Sequence, residues 1–136
     1  MRLDQALVDA AIELAETRWP TGESGAAAMY TEDGRILTSV FAESPNEAAG
    51  LCHETGAICE AHKLDVAVTA SVCVARYTEN DPFVILTACG ICQERLAFWG
   101  GDVEIAVPDP SDPTRWRAKR LREVQPYYWL NVEKKL

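Results

Sequence analysis

Two short clusters hold the residue types that do chemistry: Cys52-His53-Glu54 and Cys89-Gly90-Ile91-Cys92. Each sits where a loop or strand pattern hands over to a helical one. A helix N-terminus carries unpaired N–H groups and about half a positive charge, which favours thiolate over thiol. Two such ends meeting in space would gather three thiolates and require a cation. Zinc suits sulfur donors in tetrahedral geometry, and a catalytic zinc keeps three protein ligands with the fourth position for water. Cys52, Cys89 and Cys92 fit that ligand set. Glu54, two residues from the first cysteine, would point at the water rather than at the metal.

A CxxC alone also serves structural zinc sites and redox dithiols. What raises this one above a bare dithiol is the pairing: Cys-x-Glu opens one helix, CxxC opens the next, and a strand lies between. Two other classes of protein stay open at this point. One is a dithiol redox protein using Cys89 and Cys92; the other is a non-catalytic binding module around a structural zinc. Cys59 falls two helical turns after Cys52 on the same face and is the candidate fourth ligand of such a closed site. It would sit about 10 Å along the helix axis from Cys52 at the helical rise. Cys73 is expected in the core and His62 on the surface. Adjacent helical residues point about 100° apart, so if Cys52 binds, His53 faces a pocket wall or an interface.

The elements that must position these groups follow from periodicity. Leu3, Ala6, Leu7, Ala10, Ala11, Leu14 and Ala15 recur at helical spacing, predicting an amphipathic helix over the first 18 residues or so. Trp19-Pro20 ends it, because a residue before proline avoids the helical region. Strands over 26–31 and 35–42 flank Glu32-Asp33-Gly34, a hairpin signal. Residues 43–50 read as a loop and 51–63 as a helix. A β-branched strand over 66–76 and an apolar run over 83–88 follow. A helix over 93–99 stops at Gly100-Gly101, before a strand over 103–107. Pro108–Pro113 reads as a loop, and the tail from Thr114 as a final helix before Pro126. This order predicts an α/β sheet covered by helices.

At 136 residues the chain has the size of a single domain, residues 1–136. With 25% charged residues and seven prolines, disorder and collagen-like folds are excluded. No apolar run approaches the roughly 18 residues of a membrane span, and Asp4 and Asp9 interrupt any leader-like stretch. We therefore expect a soluble, cytoplasmic protein with no membrane partner. The net charge of −8 argues against a nucleic-acid surface. The five cations among residues 115–122 are read as a solvated helix face or a partner contact. Five cysteines in such a compartment are metal ligands, reactive thiols or small core residues, not a disulfide framework.

The zinc deaminase signature pairs H-x-E with P-C-x-x-C, and cysteine can replace the histidine. With C-H-E and A-C-G-I-C in that order, and Gly25-Ala26-Ala27 on a first strand after an N-terminal helix, the chain resembles the small cytidine deaminases and blasticidin S deaminase over most of its length. The resemblance implies a three-layer α-β-α fold with a mixed five-stranded sheet and helices on both faces. It implies zinc-dependent hydrolytic deamination of an aminopyrimidine nucleoside or related amino-heterocycle, releasing ammonia, with zinc-bound hydroxide as nucleophile. It further implies Cys52, Cys89 and Cys92 as ligands and Glu54 as proton shuttle. The carbonyl of Thr87 and the N–H of His53 would contact the substrate's amino group and ring carbonyl. A homotetramer (or homodimer) is implied, with Tyr127, Tyr128 and Trp129 either closing a neighbour's site or packing as a simple tail. Phe98 and Trp99 are expected in the core or at a subunit interface.

Four positions depart from the family pattern. Ala88 stands where a proline usually precedes the CxxC. Thr55 stands where an arginine commonly follows the glutamate and donates to a cysteine sulfur; helix dipoles, Gln93 or Arg95 would have to take over that work. Counting back from Cys52, the two ribose-reading positions are Phe41 and Glu43: the glutamate persists, and the asparagine has become an aromatic ring. The aromatic position three residues before the Gly-Ala-Ala strand falls on Gly22. These changes weaken ribose selection, so a modified aminopyrimidine is as good a candidate substrate as cytidine.

Overall fold

In the computed structural model, which describes residues 2–132, the N-terminal periodicity becomes helix α1 (Gln5–Arg18). The Asp4 side chain accepts from the Leu7 N–H at 3.0 Å, a cap that stabilises a helix by about 1 kcal/mol. Pro20 stops the helix, and Arg76 Nη2 ties its end by donating to the Trp19 and Pro20 carbonyls at 3.0 and 3.1 Å. Strands β1 (Ser24–Thr31) and β2 (Ile36–Ser39) form the expected hairpin. After α2 (Thr55–Leu64) come β3 (Val68–Arg76), β4 (Val84–Leu86) and α3 (Gly90–Leu96). Strands β5 (Glu104–Asp109) and β6 (Asp112–Arg120) and the one-turn α4 (Leu121–Val124) complete the main elements.

The sheet runs β2-β1-β3-β5-β6, mixed because β3 and β5 are parallel while the other pairs are antiparallel. It has six strands rather than five. The extra one is the three-residue β4, which pairs with the C-terminal half of β3 beyond the point where β5 leaves it. Leu3, Leu7, Val8 and Ala11 of the N-terminal segment pack on one face against Ala28, Tyr30, Ala70, Val72 and Val74. On the other face Ala57, Ile58 and Ala61 of α2 and Cys92 and Leu96 of α3 pack against Met29, Val68, Val103 and Ile105. A register shift at Tyr30/Thr31 lets Val68 face the second layer while Ala70 faces the first.

Several segments differ from the periodicity reading, among them the helix expected over 93–99, which is α3 at Gly90–Leu96. The β2 pairing stops at Ser39, so Phe41 leaves the sheet, and Ala42 bridges Leu51 instead. Helix α2 starts at Thr55, not at residue 51, so Cys52 to Glu54 form the turn that enters it. The tail from Asp112 is an edge strand before the short α4. Its Trp116 and Ala118 pack beside the α1 layer while Arg115, Arg117 and Lys119 are exposed. That is period-2 alternation, so the basic segment is mostly a strand rather than a helix face. The proposed loop at 108–113 is a hairpin turn, closed by Asp109 pairing with Asp112.

Candidate active site

The face of β1 and β3 that looks toward α2 is built from small residues where the two strands pair: Gly25 with Ala75, and Ala27 with Cys73. This leaves room for the turn preceding α2. At Gly25 the fit is close. A Cβ there would lie well inside contact with the His53 ring and 3.0 Å from the Val74 carbonyl oxygen.

Onto this floor the two clusters converge. The sulfurs of Cys52, Cys89 and Cys92 all lie within 4.8 Å of one another, with 2.7 Å between Cys52 Sγ and Cys92 Sγ. Cys89 is the extended cap residue of α3, and its carbonyl accepts from the Gln93 N–H at 2.8 Å. Gln93 Nε2 donates to the Ala88 carbonyl at 2.7 Å, fixing the turn where a proline is absent. Cys92 is fully buried, and burial, with Cys52 beside it, pushes its thiol far up. Such a group carries negative charge only when a cation shares the cluster. Cys59 is exposed in a groove between α2, α3 and the C-terminal segment, so it is not the fourth member.

Glu54 is 3% exposed and caps α2 by position, yet its carboxylate makes no capping bond. Instead it lies within 4.8 Å of both His53 and Cys73. Cys73 is buried as expected, and burial first, then Glu54, raises its thiol. Burial lowers the pKa of His53, opposed by the charges of Glu54 and Glu23. The Ser39 hydroxyl donates to the His53 carbonyl, locking this turn to the end of β2.

A column of aromatic rings runs outward from His53. Phe41 meets it edge-on at 5.2 Å, Trp19 lies flat on Phe41 at 4.4 Å, and the Arg18 guanidinium covers Trp19 at 4.4 Å. The position counted back from the Gly-Ala-Ala strand, Gly22, brings no ring here: its positive φ of 74° and bond to Glu79 Oε2 mark a turn. The ring comes from Trp19, the single aromatic residue between α1 and β1. Thr87 is exposed just ahead of Cys89, while Glu43 is exposed on a separate shallow cleft with Ala42, Pro45 and Leu51. Sequence reasoning also left open which group faces the sulfurs in place of an arginine at position 55. Gln93 is engaged with Ala88, and Arg95 takes that place, its Nη1 3.8 Å from Cys52 Sγ.

Solved structures provide the comparison. The chain is similar to the cytidine deaminase from Bacillus anthracis, with 43% identity, 95% of this chain and 91% of that chain covered, and a TM-score of 0.89. The cytidine deaminase from Mycobacterium tuberculosis shares the fold at 23% identity, covering 94% of this chain and 98% of that one, with a TM-score of 0.70. The enzyme from Burkholderia pseudomallei does so at 19% identity, 94% and 100% coverage, and a TM-score of 0.70. No family model and no curated protein sequence matches the chain.

Proposed function

The chain belongs to the cytidine deaminase family, and we propose that it hydrolytically releases ammonia from an aminopyrimidine nucleoside or a related amino-heterocycle at a zinc centre held by Cys52, Cys89 and Cys92. One observation carries this reading: three sulfurs from two helix entrances converge beside a buried carboxylate, Glu54, that no cap or salt bridge consumes. The donor set fits zinc, being all sulfur, of three members, and containing a buried thiol that needs a cation to ionise. When bound, zinc would supply Lewis acidity that brings the pKa of water toward neutrality.

The chain's own residues supply the rest. Glu54 accepts a proton from the attacking water and delivers it to the ring nitrogen beside the amino-bearing carbon. The carbon–oxygen bond forms at that carbon; Glu54 then moves the proton of the new hydroxyl to the amino nitrogen, the carbon–nitrogen bond breaks, and ammonia departs as the carbonyl forms. Such a shuttle contributes about 10²–10⁴-fold in rate. The Thr87 carbonyl would accept from the substrate's amino group, and the His53 N–H would donate to its ring oxygen. Phe41 and Trp19 form the wall beside His53, and Phe41 brings no hydrogen-bonding group to it, which supports a substrate whose substituent is recognised by contact rather than by ribose hydrogen bonds.

We assign residues 1–136 to one cytoplasmic domain that works as a homotetramer or homodimer. The exposed rings of Phe98, Tyr127 and Trp129 support an interface between copies. Among the described residues no helix is long and apolar enough to cross a membrane. What weighs against a dithiol redox protein is that Cys52 joins the cluster, and against a closed Cys₄ module that Cys59 does not. The test is ammonia release from cytidine, deoxycytidine, cytosine, blasticidin S and aminopurines, alongside zinc content. Release from one of them by the zinc-loaded protein supports the reading; a protein that takes up no zinc overturns it.

A further inference from the structure

Three thiolates around a dication leave a net charge of −1, and Glu54 adds another beside it. In a chain already at −8, that charge needs a local answer. Helix α3 supplies one. Arg95 Nη1 donates to Thr55 Oγ1 at 2.7 Å and stands 3.8 Å from Cys52 Sγ. Thr55 Oγ1 is in turn 3.1 Å from Cys52 Sγ. The direction of this chain follows from the donor inventory. A guanidinium only donates, so the Thr55 oxygen must accept from Arg95, and its own proton is left to point at the sulfur.

Arg95 is also half-buried, and among the described residues no carboxylate pairs with it. The neighbouring candidate, Gln93, spends its amide on the Ala88 carbonyl. A partly desolvated cation without an anionic partner is costly unless a negative charge faces it, and the sulfur cluster is the charge within reach.

We propose that Arg95 is a positioning residue for the metal centre, orienting Cys52 and balancing its charge directly and through the Thr55 hydroxyl, and so setting how tightly the three cysteines bind zinc. The inference rests on the zinc reading above. Groups that orient and charge-balance first ligands typically change metal affinity by about 10–100-fold when removed.

The experiment is zinc affinity of the full chain by competition with a colorimetric chelator, for wild type, Arg95→Ala, Arg95→Gln and Arg95→Lys. Melting of each metal-free protein serves as the folding control. Gln keeps a hydrogen-bond donor for Thr55 and loses the charge; Lys keeps the charge and loses the planar fork. The expected result is a loss of about 10–100-fold for Ala and Gln, with Lys recovering most of it. Thr55→Val, which leaves Arg95 in place, is expected to lose less than Ala and keeps the idea testable if Arg95→Ala does not fold. Wild-type affinity in Arg95→Ala, or full recovery by Gln, overturns the charge role while leaving the zinc site standing. A wild-type protein that binds no zinc overturns both.

Discussion

Phe41 lies face to face with Trp19, ring centroids 4.4 Å apart and planes 3° from parallel. This pairing closes one side of the space outside His53 with two apolar faces and commits Phe41 to packing. A site that hydrogen-bonds a substrate hydroxyl discriminates strongly against analogues lacking it, whereas an apolar wall barely distinguishes them. We expect the wild-type kcat/KM for cytidine and for a cytosine bearing a plain alkyl group at the same ring nitrogen to be within about tenfold. Phe41→Asn should raise the cytidine preference. Steady-state kinetics with both compounds decides it, and a wild-type preference of many thousandfold for cytidine would show that ribose is read elsewhere.

Glu54→Gln separates catalysis from architecture. The substitution is nearly isosteric, at a position whose side chain makes no cap bond, so folding and zinc content should stay as in the wild type. The proton carrier is lost, and kcat should fall by about 10²–10⁴-fold. Single-turnover ammonia assays with metal analysis test both halves. Retained turnover would remove Glu54 from the mechanism.

Gly25 tests the floor of the site. A methyl group there would meet the His53 ring and the Val74 backbone carbonyl, and the carbonyl belongs to the β3 ladder and cannot give way easily. Gly25→Ala should destabilise the fold by about 1–3 kcal/mol, the range of overpacking, and should impair activity by displacing His53. The control is Gly90→Ala: a Cβ at Gly90 meets nothing within 4 Å, so stability should change little. Thermal melts of the two variants should diverge.

The clusters were readable because Cys52-x-Glu54 and CxxC are local in sequence, and both halves of the pair fall at helix entrances that periodicity and glycine punctuation reveal. The layer order was readable for the same reason. Arg95 was visible only as one of three choices, beside the helix dipoles and Gln93, because which side chain reaches Cys52 depends on how α3 is rotated against α2. The ring stacked on Phe41 was not legible, because counting back from the Gly-Ala-Ala strand lands on Gly22, while Trp19, read only as the end of the first helix, is the residue that stacks there. The β6 strand was misread because five cations hid the alternation of Thr114, Trp116 and Ala118 on the opposite face.

The β5–β6 turn gives a pH test away from the site. The Ser111 hydroxyl and N–H both donate to Asp109 Oδ1, and Arg117 pairs with its other oxygen. Together they lower the Asp109 carboxyl to about 2, with the Ser111 side chain the largest cause. A depressed carboxylate contributes stability above its unfolded pKa near 3.9 and loses it as pH falls through the folded value. The turn's contribution to stability should therefore begin to decline below about pH 4 and be nearly gone as the pH approaches about 2. Carboxyl NMR titration reads the midpoint directly, and Ser111→Ala should move it up toward the ordinary aspartate value.

Metal removal reads the site through stability rather than turnover. A ligand that binds only the folded chain adds RT ln(1 + [L]/Kd), about 4 kcal/mol at a thousandfold excess over Kd. For a domain of this size that corresponds to roughly 10–20 °C in melting temperature. Stripping zinc with a chelator should lower the melt by that order, and one equivalent of zinc should restore it. Protons compete for the same sulfurs, so the difference between loaded and stripped protein should shrink as the pH is lowered from 8 toward 5. Substituting Cys92 by Ser should abolish the zinc-dependent part, because Cys92 is the fully buried member of the three. Substituting Cys59 by Ser should leave it intact, since that thiol is exposed on the far groove of α2. A melt indifferent to zinc, or one equally sensitive to both substitutions, would mean the sulfur cluster is not where the metal binds.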